Sequence, residues 1–198
     1  FGGNQLSVVL DAGGLDDDLM QAIASEFSYA ETTFVRPPAD AAHTAEVRIF
    51  TPKAEVPFAG HPNVGTAFAL ARIGELFGRP IGGSGLFEEK AGLGPVEIHR
   101  KGSSRDGEPV GARLTSPQAF EIGDPVAAEV VARARPDAGA FAERLPASVA
   151  VGIELYALTA GTAPAGAEIT ARVFAPEFGV LEDAATGSAN VTLAGLLA

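Results

Sequence analysis

A constant offset of 124 residues ties two stretches of this chain together. Arg48-Ile49-Phe50-Thr51-Pro52, with Val56 four residues further on, is matched by Arg172-Val173-Phe174-Ala175-Pro176, with Val180 four further on. Each copy then passes through small residues toward a helix. The first does so at Gly60-His61-Pro62-Asn63 and the second at Ala185-Thr186-Gly187-Ser188. The period is far longer than the roughly 20–50 residues of a solenoid unit. It predicts two related domains, each presenting a strand, a loop and a helix N-terminus.

The apolar pattern fills in the elements around the repeat. Gln5–Leu10 is a short β-branched run closed by the turn residues Asp11 to Gly14, and is expected to be a strand. Leu15–Phe27 keeps helical spacing through Leu19, Met20, Ile23, Ala24 and Phe27, with Asp16, Asp17 and Asp18 at its negatively charged start. Strands are expected over 31–35, 46–50, 95–100, 112–115 and 148–158, and helices over 66–76 and 125–134. A Gly-rich loop occupies 81–85, and the Ala-rich stretch 133–146 fits no single pattern. Strands alternating with helices give an α/β or α+β class rather than a sandwich or a bundle.

Composition removes several functions. Lys plus Arg number 14 against 25 Asp plus Glu, a formal charge of −11, and no basic run offers phosphate neutralisation, so nucleic acid is not an expected partner. No apolar run approaches the length of a membrane span. The absence of Cys excludes disulfides, thiolate nucleophiles and Cys-ligated zinc, and a reducing, cytoplasmic setting is expected. His43, His61 and His99 make no metal-ligand spacing, so no metal is expected. The sequence opens at Phe1 without Met or a signal-like segment, and is expected to be a fragment or a set of joined pieces.

Two helix N-termini, at Gly60-His61 and Gly187-Ser188, would suit an anion through their unpaired N–H groups and dipoles. Ordinary capping by Thr186 and Ser188 explains the same residues. His61, in a Gly-His-Pro turn, is placed either to hydrogen-bond a substrate and shuttle a proton or simply to sit at the surface. His43 and His99 are expected to be solvent-exposed. Glu31 begins a strand among apolar and Thr neighbours, where it is either a solvated edge acid or a partly desolvated general base. Asp183, just ahead of the second loop, fits a turn or cap carboxylate.

Four stretches then come together. They are Gly3-Asn4-Gln5 leading to Val8-Val9-Leu10-Asp11, the run Ser28 to Val35, the loop Pro57-Phe58-Ala59-Gly60-His61-Pro62, and Glu182-Asp183-Ala184-Ala185-Thr186-Gly187-Ser188-Ala189. In this order and spacing the chain resembles the PhzF family of phenazine-biosynthesis-like isomerases, of the diaminopimelate epimerase fold superfamily. The resemblance implies an α/β (α+β) protein of two pseudo-symmetric domains, 1–118 and 119–198. Each would be a curved, mostly antiparallel sheet wrapped around a central helix, with the active site in the cleft between them and the second domain incomplete. It implies a homodimer, a small-molecule carboxylate substrate, and no cofactor.

The resemblance also assigns roles. Glu31 would be the catalytic base and then acid of a proton shift between two carbons. His61 and Asp183 would hold and polarise the substrate or assist the proton, and Gly60, Gly187 and Ser188 would bind its carboxylate and amine. Ala30 stands where the family often has Ser, and Ala184 where it often has Pro. An isomerase of an amino-acid-like substrate unrelated to phenazines, or a non-catalytic binding homologue, are the alternatives.

Overall fold

Alternation along Glu31–Arg36 sets the plan of the first half of the molecule, because successive strand side chains point to opposite faces. In the computed structural model, which describes residues 4–102, 107–117, 128–144, 153–158, 169–176 and 180–183, this segment is a central strand with four fully buried residues. Contacts between Cα positions divide the chain into two units, Phe1–Ala119 and Phe120–Ala198.

In the first unit the strands are β1 (Leu6–Val9), β2 (Glu31–Arg36), β3 (Ala45–Phe50), β4 (Glu55–Val56), β5 (Glu75–Leu76), β6 (Arg79–Pro80), β7 (Ser84–Glu89), β8 (Gly92–Arg100) and β9 (Pro109–Leu114). Helices α1 (Asp17–Phe27) and α2 (Gly60–Ile73) complete it. The main sheet runs β1-β2-β3-β7-β8-β9, with β4 added to β3, while β5 and β6 form a separate ribbon. Among the described residues, only the β1/β2 and β3/β7 pairs are parallel.

Helix α2 packs against β1 and β2 at one end of this order and against β8 and β9 at the other. A flat sheet could not bring both ends to one helix, so the sheet curls around α2. The helix suits that place. Its buried residues, Pro62, Asn63, Thr66, Ala67, Leu70 and Ala71, recur at helical spacing and are mostly small. At Gly65 an added Cβ would lie 2.4 Å from Leu6 Cδ2, so the absent side chain sets how closely α2 approaches β1.

The opposite face of β2 meets α1. Phe34 and Phe50 pack with Ala12, Met20 and Ala24 in one buried cluster, the two rings edge to face at 5.4 Å. Full burial of such a side chain contributes about 1.5–3 kcal/mol. Asp16 caps α1, accepting from the Leu19 N–H at 2.8 Å. Asp17 pairs with Arg48 at 2.5 Å, so part of the acidic start serves a tertiary contact rather than solvation alone.

Two boundaries depart from the sequence pattern. The helix expected over 66–76 begins at Gly60 and stops at Gly74, whose φ of 84° ends it in the left-handed region. Pro62 therefore lies inside the first turn, where a missing N–H costs no hydrogen bond, and Glu75–Leu76 is strand. The loop expected over 81–85 gives way to β7 at Ser84.

His43 also departs from expectation. Its Nδ1 lies 2.7 Å from Glu88 Oε1, and its side chain is only 17% exposed; His99, by contrast, is exposed. Glu88 gathers the 39–43 loop, accepting the N–H groups of Asp40 at 2.9 Å and Ala39 at 2.8 Å. These bonds, with that of His43, hold its carboxyl down to about 2 from an ordinary 4.5. A depressed folded-state value stabilises above the unfolded value and loses that contribution on acidification. Glu88→Gln is therefore expected to lower the urea midpoint at neutral pH. It should also flatten the dependence of stability on pH between 4.5 and about 2, and an unchanged slope in that window would refute this.

The second unit contains α3 (Ala128–Arg133), α4 (Ala138–Arg144) and an antiparallel sheet of β10 (Ile153–Leu158), β11 (Ile169–Ala175) and β12 (Val180–Asp183). The Ala-rich stretch thus supplies α4. Here the repeat becomes physical. Arg48 donates from Nε and one Nη to the two oxygens of Glu55 at 2.7 and 2.6 Å, and its guanidinium lies 5.3 Å from the Phe50 ring centre. Arg172 makes the same paired bonds to Glu182, both at 2.7 Å, and lies 4.9 Å from the Phe174 ring.

The offset does not stay constant, however. Ile49 pairs with Val56, but Val173 pairs with Asp183, so the counterpart of Val56 in the ladder is Asp183 and not Val180. The second hairpin is three residues longer, and the sequence match at Val180 does not correspond to a structural one.

Candidate functional site

Along β2 the residues facing α2 are Glu31, Thr33 and Val35. Buried Thr33 and Thr66 share a hydrogen bond between their hydroxyls at 2.8 Å, which pins the helix against the strand. One and a half turns earlier on α2, His61 meets Glu31: its Nδ1 lies 3.1 Å from Oε2. The Glu31 and His61 side chains are 20% and 29% exposed. That leaves an opening for a small molecule while removing most of the surrounding water, which strengthens any charge interaction made there.

The same turn offers backbone donors. The N-cap position of α2 is Ala59, in extended conformation and with no side-chain capping bond. The N–H groups of the first turn thus have no capping side chain, and the positive end of the helix dipole lies beside Glu31 and His61. Gly60 is the first helical residue, where the absence of a side chain lets a ligand approach the backbone.

A carboxylate hydrogen-bonded to an imidazole is equipped to take and return a proton, with the ring fixing the orientation of the acid. An adjacent helix N-terminus is equipped to hold a carboxylate or another anion. Of the residues named from the sequence, the structure thus brings together Glu31, Gly60 and His61. Asp183 is the last residue of β12 in the second unit, at the register position opposite Val173. Gly187 and Ser188 lie outside the described residues.

Sequence reasoning missed two polar residues under this turn. Asn63 is fully buried, and its Nδ2 donates to the Ala59 carbonyl at 2.9 Å. Glu89, at the end of β7, has both carboxyl oxygens buried. Asn63 carried a signal in its place within the Gly-His-Pro-Asn turn, whereas Glu89, in Glu88-Glu89-Lys90, looks like any solvated hairpin end.

No helix among the described residues is long and apolar enough to cross a membrane. The strands and helices form a mixed α/β protein whose sheet curls around one helix, with an acid–imidazole pair at the helix start. Comparison with known proteins agrees. A profile described as phenazine biosynthesis-like protein, PhzC-PhzF, matches residues 1–150 and 126–198. The trans-2,3-dihydro-3-hydroxyanthranilate isomerase of Pseudomonas aeruginosa is 34% identical over 216 aligned positions, covering 97% of this chain and 73% of that protein. An uncharacterized isomerase of Mesorhizobium japonicum is 54% identical over 94 residues, 48% of this chain and 30% of that protein. The crystal structure of a Bacillus anthracis PhzF-family protein superposes with a TM-score of 0.63 at 25% identity, covering 97% of this chain and 73% of that one. This chain belongs to the phenazine biosynthesis-like PhzC-PhzF family. Its matches span under a third of the Mesorhizobium relative and about three quarters of the Pseudomonas one.

Proposed function

We propose that this protein is a PhzF-type isomerase that moves a proton between two carbons of a small carboxylate-bearing metabolite. The observation that carries this is the 3.1 Å contact between Glu31 and His61 at the uncapped start of α2. In this reading the first-turn N–H groups, at Gly60 above all, bind the substrate carboxylate. The Glu31 carboxylate then removes a proton from carbon, and the C–H electron pair enters a new C=C bond as the existing double bond shifts. Glu31, now a carboxylic acid, returns the proton to the far carbon, so that atoms and charge balance with no external oxidant or reductant. His61 keeps the carboxylate oriented throughout. Asp183, Gly187 and Ser188 are further substrate-binding or proton-assisting candidates by family resemblance.

The Pseudomonas relative makes trans-2,3-dihydro-3-hydroxyanthranilate the first substrate to try. Ala30 favours a second reading, in which the substrate is amino-acid-like and unrelated to phenazines, because the hydroxyl that often precedes the glutamate in this family is absent. Incubation in deuterated water with that compound and with a panel of amino acids, followed by NMR, separates the two readings. Deuterium is expected at the carbon that receives the returned proton. Incorporation only into an amino acid would favour the second reading, and none into any compound would favour a binding protein.

A further inference from the structure

A helix start is ordinarily tied down through its N–H groups, by an N-cap side chain that accepts from the second or third helical residue. Helix α2 lacks that arrangement. Its N-cap is Ala59, which makes no side-chain capping bond, and its third residue is Pro62, which has no N–H to give. The turn is tied through a carbonyl instead. Asn63, the fourth helical residue, donates from Nδ2 to the Ala59 carbonyl at 2.9 Å. A carbonyl only accepts, so the NH2 end of the amide is the one that faces Ala59.

Two further observations single this bond out. Asn63 has 0% exposure, yet its Oδ1 is buried with no hydrogen-bond partner among the described residues. A buried acceptor left unmatched destabilises a fold, whereas an apolar side chain of similar shape is close to neutral in its place. Packing alone would therefore favour leucine at this position. The sequence supplies the second observation. Gly60-His61-Pro62-Asn63-Val64 has a counterpart 127 residues on, in Gly187-Ser188-Ala189-Asn190-Val191. This offset exceeds the 124 of the arginines by the three residues that lengthen the second hairpin. Asn thus follows Gly at the same spacing in both copies.

The tied carbonyl belongs to the residue just ahead of Gly60 and His61, and His61 Nδ1 lies 3.1 Å from Glu31 Oε2. Further along the helix, Thr66 shares a hydrogen bond with Thr33 of the same strand at 2.8 Å. The Thr66 bond fixes the body of α2 against β2, and the Asn63 bond fixes the first turn onto that body. We propose that Asn63 is a positioning residue for the Glu31–His61 pair. Its amide grips the Ala59 carbonyl and so holds the turn that carries Gly60 and His61. It does this without drawing on the N–H groups assigned above to the substrate carboxylate. A displacement of about 1 Å is enough to cost about 100-fold in rate, so the tie matters more to turnover than to folding. The positioning role rests on Glu31 and His61 being the proton-moving pair, whereas the tie itself does not.

Two variants separate the possibilities. Asn63→Leu removes the donor at similar volume. Asn63→Thr keeps one, because a helical threonine hydroxyl reaches the carbonyl four residues back, which here is that of Ala59. The first arm is read by NMR without substrate. The Gly60 amide and His61 ring 15N shifts should be displaced in Asn63→Leu and close to native in Asn63→Thr. The wild type should also show a scalar coupling across the bond, from Asn63 15Nδ2 to the Ala59 carbonyl 13C. Native shifts in Asn63→Leu, or no such coupling, overturn the tie whatever the substrate proves to be.

The second arm uses any compound that the wild type exchanges. There kcat should fall about 100-fold in Asn63→Leu and stay within about threefold in Asn63→Thr, while the urea midpoint of Asn63→Leu stays at or above that of the wild type. Equal losses of turnover in both variants overturn the positioning role. So does an Asn63→Leu protein that loses stability but, once folded, turns over normally, since Asn63 would then be structural only. Should Asn63→Leu fail to fold, the wild-type coupling and the Asn63→Thr shifts still decide.

Discussion

Glu31→Gln is expected to lower enzyme-dependent deuterium incorporation by roughly 10²–10⁴-fold, the range that a positioned acid–base group contributes. The amide is nearly isosteric with the carboxylate and still accepts a hydrogen bond from His61 Nδ1, which lies 3.1 Å away in the native pair. It cannot take a proton from carbon. Stability should change little, because the side chain is one-fifth exposed and is hydrogen-bonded to His61, a contact that glutamine can keep. Ligand affinity should persist as well, since substrate anchoring is assigned to the α2 N-terminus rather than to Glu31. The informative comparison is therefore exchange rate against binding, measured on the same preparation by NMR and calorimetry. A variant that exchanges as fast as the wild type would remove Glu31 from the mechanism, and lost binding with unchanged turnover of bound ligand would make it an anchor instead.

Phe34→Ala should have the largest effect on stability, about 3–5 kcal/mol. Phe34 is 0% exposed and stands at the centre of the cluster formed by Ala12, Met20, Ala24 and Phe50. Truncation removes its apolar burial and the edge-to-face contact with Phe50 at 5.4 Å. It also leaves a cavity between β2 and α1, two rigid elements that cannot simply collapse together. Urea unfolding at constant slope would read the loss as a lower midpoint. Because Phe34 and Glu31 point to opposite faces of β2, the molecules that remain folded should keep their Glu31–His61 contact, so the His61 ring resonances should be native in shift. A loss below about 1 kcal/mol would mean that the site relaxes in a way the packing described above does not allow.

How much of this was legible in the sequence differs from element to element. Strand β2 was readable because a β-branched and aromatic run between turn residues has few other solutions. Helix α1 was readable because its apolar residues keep one helical face and Asp16 supplies the cap. The start of α2 was not. Gly60 and Pro62 weaken a helix by local propensity, and the six residues before Thr66 become helical because the curled sheet packs against that turn from several sides. His43 gave no sign of its partner, since Glu88 lies 45 residues away and reaches it only once β3 and β7 pair in parallel. The hairpin after β11 misled in a different manner: the sequence match between Val56 and Val180 is real, but β-register places Asp183 where Val56 stands in the first copy.

By itself the sequence determined the repeat, the α/β class, and the residues from which a proton-moving site would be built, because motif order and periodicity are properties of the chain read in one dimension. The arginine pairs with Glu55 and Glu182 then recur in three dimensions in both copies. Only the tertiary structure decided that Glu31 and His61, 30 residues apart, stand in hydrogen-bond contact, and that Glu89, set among charged neighbours in sequence, is a buried carboxyl beside Asn63. The physical reason is common to both. Whether an ionisable group is solvated, paired or protonated depends on what covers it, and here part of the cover is helix α2, which lies far from both residues in the chain.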